Sequence, residues 1–79
     1  MGEVKLNDTR RRLLLAIYRE MRACPKGQGL HENEARHCAG SEADFELTYL
    51  AERGLVARRA FGYLRLTPDG IDLIEGETE

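Results

Sequence analysis

Residues 41–70, SEADFELTYLAERGLVARRAFGYLRLTPDG, change hydrophobic period at one glycine, and that change limits what the chain can fold into. Before Gly54 the spacing is helical: at roughly 100° per residue, Ala43, Leu47, Leu50, Ala51 and Gly54 fall within about 60° of one direction. This stripe predicts a core-facing helix. Ser41 is its expected N-cap, with Asp44 three residues on as a weak capping box, and Gly54 is the left-handed residue that stops it.

Beyond Gly54 the chain alternates as strands do. Residues 55–60 and 63–67 flank Phe61-Gly62, which predicts a tight hairpin with Gly62 at positive φ. Setting Ala60 opposite Tyr63 puts Arg58 opposite Arg65 and Arg59 opposite Leu64. Leu55, Ala57, Leu64 and Leu66 then face a core, while Val56, Arg58, Tyr63, Arg65 and Thr67 face outward. Two arginines directly opposed weaken a hairpin unless something anionic lies over them.

The flanking segments read as support. Residues 1–8 are the expected N-terminal tail, 9–76 the folded domain and 77–79 an acidic end. Asn7-Asp8 offer an N-cap to a helix over 9–23, with Leu13, Leu14, Ile17, Tyr18 and Met21 along one side. The turn Pro25-Lys26-Gly27-Gln28-Gly29 ends it. A short polar helix over 30–39 follows, with Ala35, Cys38 and Ala39 its best buried candidates, and Gly40 closes it. The helices on either side of Gly40 would pair as a helix-turn-helix. Thr67-Pro68 opens a last short helix, with threonine as cap and proline at the first helical position. The expected fold is α+β, with a three-helix core, a two-stranded hairpin and a C-terminal helix.

The string Leu47-x-x-Leu50-x-x-x-Gly54-Leu55-Val56-x-Arg58-Arg59, a hairpin, then Leu66-Thr67-Pro68-x-Gly70-x-x-Leu73, resembles the C-terminal half of winged helix-turn-helix domains of small bacterial regulators. The likeness extends more loosely back to about Thr9. A fainter similarity runs to small winged-helix proteins of unknown role encoded in bacterial prophages. The resemblance implies a winged helix-turn-helix fold and transcriptional regulation through DNA, with the third helix at the major groove and the hairpin as the wing.

At 79 residues the chain makes one domain, close to the size at which a single core suffices without staples. The net charge of −2 conceals strong segregation: residues 1–30 carry +4, 31–54 carry −4, 55–67 carry +3 and 68–79 carry −5. No apolar run nears the roughly 18 residues of a membrane span. Met-Gly-Glu-Val-Lys-Leu lacks the apolar region of a signal peptide, so the expected location is the cytoplasm.

Cys24, Cys38, His31 and His37 could in principle ligate a metal. Their spacing argues against zinc, because there is no C-x2-C knuckle and neighbouring His37 and Cys38 would leave a helix in different directions. Cys38 reads as a small core residue, and a disulfide is unexpected in the cytoplasm. No phosphate loop and no nucleophile with a base and acid are present, so neither an enzyme nor a cofactor is expected.

Two functions remain open. For DNA binding, Ser41, Phe45, Thr48, Tyr49 and Arg53 on the third helix would meet bases and backbone, and Arg58, Arg59 and Arg65 on the hairpin would neutralise phosphates. Arg10, Arg11 and Arg12 open the first helix, where the dipole disfavours cations, unless that turn faces phosphate or an acidic partner. Against this stand Glu42, Glu46 and Glu52 on the third helix. The second function is protein interaction, including with a second copy of the chain. There, Phe45 and Tyr49, four residues apart and opposite the core stripe, would serve as exposed aromatic anchors.

Overall fold

A computed structural model describes residues 6–78. The fold is α+β: four helices packed with a three-stranded antiparallel sheet. Helix α1 (Asp8–Ala23) comes first, followed by strand β1 (Leu30–His31), helix α2 (Glu32–Ala39) and helix α3 (Ala43–Glu52). Strands β2 (Val56–Arg58) and β3 (Tyr63–Leu66) form the hairpin, and helix α4 (Pro68–Thr78) ends the described chain.

The residues expected to make α1 amphipathic do so. The Asn7 side chain accepts from the Arg10 N–H at 2.8 Å, closing the first turn as an N-cap. Leu13, Leu14 and Ile17 are fully buried, with Tyr18 and Met21 at the edge of the core. The expected tail over 1–8 falls largely on residues 1–5, outside the described residues; Leu6 already packs against the core. The acidic end expected at 77–79 is helical through Thr78, and Glu79 lies outside the described residues.

Residues 30–39 are not one helix. Leu30 and His31 pair with Leu64 and Tyr63 of β3, so the sheet gains a third strand and runs β1-β3-β2. The physical reason is that Leu30 finds its burial against Leu64 on the sheet, and His31 then turns the chain into α2. Its Nδ1 accepts the Asn33 N–H at 3.1 Å, as an N-cap does.

The start of α3 also differs from expectation. Gly40–Glu42 form a 3-10 turn, α3 begins at Ala43, and no side chain caps it, so Ser41 is an exposed turn residue rather than the N-cap. The other end is as expected: Gly54 adopts φ 77°, the Gly54 N–H donates to Ala51 O and the Leu55 N–H donates to Leu50 O. This pair of bonds is a Schellman motif, which satisfies the last carbonyls of α3 and delivers the buried Leu55 toward the sheet. Thr67 caps α4, its Oγ1 accepting the Gly70 N–H at 3.1 Å and donating to Gly54 O at 2.6 Å. The base of the hairpin and the start of α4 are therefore tied to the end of α3.

The hairpin register is shifted by one residue from expectation. Val56 faces Leu66, Ala57 faces Arg65 and Arg58 faces Leu64. The loop is the three residues Ala60–Gly62, in which Phe61 (φ 62°) and Gly62 (φ 81°) both lie at positive φ. A one-residue slip exchanges the faces of β2. Val56 is therefore buried with Leu64 and Leu66, Ala57 turns outward, and Arg58 and Arg65 stand on opposite faces instead of side by side.

Candidate nucleic-acid interface

Helix α3 offers its outward face through Ser41 just ahead of it, then Asp44, Phe45, Thr48 and Glu52, all exposed. Phe45 is 69% exposed. Thr48 Oγ1 donates to Asp44 O at 2.9 Å and accepts from the Arg58 guanidinium at 3.2 Å, so the hairpin is held against this face by a side-chain bond. Asp44 is 3.2 Å from Arg36 of α2, which also reaches Glu32 at 3.3 Å and Asn33 at 2.9 Å. Arg53, exposed at the C-cap of α3, completes the rim.

Tyr49 and Glu46 do not belong to this face. Glu46 is only 6% exposed and pairs with the Arg10 Nε–H at 2.5 Å. The Arg10 guanidinium also lies 3.8 Å from the centre of the Tyr49 ring, a cation–π contact that draws Tyr49 half-buried toward α1. The expected exposed pair Phe45–Tyr49 is therefore reduced to Phe45. Among the described residues no fully buried side-chain nitrogen or oxygen lacks a hydrogen-bond partner, and the Glu46 carboxylate finds its own in Arg10.

The arginines of the first helical turn separate. Arg10 is spent on Glu46 and Tyr49. Arg11 contacts Asp8 at 3.3 Å and Glu77 of α4 at 3.2 Å, while Arg12 is exposed. An acidic partner for this turn thus exists within the chain itself. Nearby, the Tyr18 hydroxyl donates to Glu75 at 2.8 Å, and this bond, with some burial, holds the Tyr18 pKa above the ordinary value of 10.0, against the opposing effect of Arg22.

On the hairpin, Arg59 is exposed and its guanidinium makes no ion pair among the described residues. Arg65 is half-buried and donates to Gly27 O at 2.7 Å on the side of the sheet away from Arg58. Phe61 tops the loop at 86% exposure. Its place in the site was not evident from the residue string, although an aromatic in a hairpin turn has little around it to cover it. Arg36 was likewise missed; its one local signal is the four-residue spacing from Glu32.

Among the described residues no cluster of three or more His, Cys, Asp or Glu side chains is placed to hold a metal ion. Cys24 and Cys38 are both free thiols, the first exposed and the second half-buried. No helix among the described residues is long and apolar enough to cross a membrane. No protein-family model matches the chain, and no curated protein matches it significantly.

Proposed function

We propose that the chain is a winged helix-turn-helix module that binds duplex DNA weakly and with strong salt dependence. In this reading α3 enters the major groove through Ser41, Phe45 and Thr48, and the β2–β3 hairpin is the wing, with Arg58 and Arg59 on phosphates. The observation that carries it is the Arg58–Thr48 bond, because it makes the outward face of α3 and the basic hairpin one surface. Three helices with a hairpin packed beside the third is also the arrangement that the sequence resemblance implies.

The charges of α3 support this reading better than its composition does. Glu46 is turned off the outward face and paired with Arg10, and exposed Asp44 shares Arg36 with Glu32, which offsets its charge in part. Glu42 and Glu52 remain exposed, which limits affinity to the non-specific range of roughly 1–100 μM at physiological salt. Arg10 and Arg11 have no part in phosphate binding here, since Glu46 and Glu77 occupy them. Arg65 contributes less, because it is half-buried and its guanidinium is bonded to Gly27 O.

Anisotropy titration of a labelled duplex across a salt series tests the proposal. Arg58→Ala and Arg59→Ala should each reduce the slope of log affinity against log salt by about 0.9, and Arg65→Ala by less. Affinity unchanged by the first two substitutions would refute it. A second reading, a protein-docking module, is favoured by one observation: both phenylalanines of the chain are exposed, Phe45 and Phe61. Concentration-dependent sedimentation of the free chain, abolished by Phe45→Ser, would support that reading.

A further inference from the structure

The loop of the hairpin holds Phe61, the one non-glycine residue at positive φ among the described residues, and its side chain is exposed as well. Phe61 sits at φ 62°, ψ 23°, in the left-handed region that a bulky side chain seldom adopts. Its ring gains no burial in return, being 86% exposed. A conformation of this kind persists where its surroundings over-determine it, and the surroundings here do so. The Arg59 N–H donates to Tyr63 O at 2.7 Å and closes the loop. Gly62, at φ 81°, follows Phe61 in the loop and lies beside the flexible end of the Glu32 side chain of α2. Tyr63 is braced edge-on against the His31 ring, 5.0 Å between centres.

The tip therefore presents one aromatic ring to solvent on a closed three-residue loop. Beside the ring runs a shallow groove of about 400 Å³ lined by Gln28, Arg59, Ala60, Phe61 and Arg65. Two arginines and an amide line the groove with the ring, and Glu32, which approaches Gly62, shares Arg36 with Asp44. Ala60 and Gly62 give the loop little width, which matters for entry into a minor groove only about 6 Å wide.

We infer that Phe61 is an apolar wedge, inserted from the minor groove between two base pairs of the duplex that α3 contacts, with Arg59 on the adjacent phosphate. This rests on the DNA reading above and adds to it a deformation: partial unstacking at one step and a bend toward the major groove, typically about 20–90° for such wedges. Steps that unstack easily, TA and CA/TG, would be preferred without any hydrogen bond to a base.

The test uses the full chain and a duplex of ~30 base pairs with a central TA step, labelled at both ends for energy transfer and carrying 2-aminopurine at the step. The native chain should bring the ends closer and raise 2-aminopurine fluorescence. Phe61→Ser should bind about tenfold more weakly, within the range an aromatic stacked on a base contributes, and leave the duplex straight. Phe61→Gly should behave the same while melting at a higher temperature, since glycine relieves the left-handed residue; this separates loss of the wedge from loss of the fold. Weak, salt-dependent binding to a straight duplex, equal in native and variant chains, would overturn the wedge and leave the DNA reading standing. No binding of the native chain at low salt would overturn both.

Discussion

Leu50 and Glu46 lie on the same helix, four residues apart, and hold it by different means. Leu50 is wholly buried, so Leu50→Ala should cost about 2–5 kcal/mol in urea unfolding through lost transfer energy and a residual cavity. Glu46 is nearly as enclosed but charged, and it is tolerated because Arg10 reaches it from 36 residues earlier. Glu46→Gln keeps the shape and leaves the guanidinium poorly compensated. It should cost about 2–3 kcal/mol, somewhat below what breaking a fully buried pair costs, and Arg10→Met in the same background should recover most of it. The stripe of Leu47 and Leu50 was legible in the sequence because both halves of its signal are local. The burial of Glu46 was not legible, since its counter-charge comes from a distant segment and a helical wheel places a glutamate at the edge of the stripe in water by default.

At the scale of elements, boundaries set by backbone chemistry could be read and those set by pairing could not. Asn7, Gly54 and Thr67-Pro68 act where the residue types require, because caps and left-handed stops are local. Strand β1 is two residues long and exists only because β3 is beside it, so no period within residues 30–31 could announce it. The hairpin register failed on one residue. Phenylalanine is a poor choice for positive φ, so a two-residue turn with glycine alone in that region was the natural expectation, and the third loop residue exchanged the faces of β2. The α1–α4 packing yields a pH prediction. Folded Tyr18 keeps its proton to higher pH than unfolded Tyr18, so its contribution to stability is complete below about 10 and declines as pH rises through the folded value. Melting temperature should fall above that pH in the native chain and fall less steeply in Tyr18→Phe.

For the whole molecule, segregated charge along the sequence becomes partly self-neutralised in space. The acidic C-terminal block meets the basic first helix through Glu77 and Arg11, and the acids of α3 meet Arg10 and Arg36. What is left open is the edge formed by the outward face of α3 and the hairpin tip, where Phe45, Thr48, Arg58, Arg59 and Phe61 are exposed. Phe45, Thr48, Arg58 and Arg59 were visible as candidates in the sequence and Phe61 was not, and their sorting into one surface was not visible either, because it depends on which cation each acid finds. The most direct measurement is therefore the map of backbone amide shifts on titrating the labelled chain with a short duplex at low salt. The account predicts perturbations at Ser41, Phe45, Thr48 and from Arg58 through Gly62, with Arg11, Arg12 and α4 silent. Shifts centred on α1 and α4, or none at α3 and the hairpin, would contradict it.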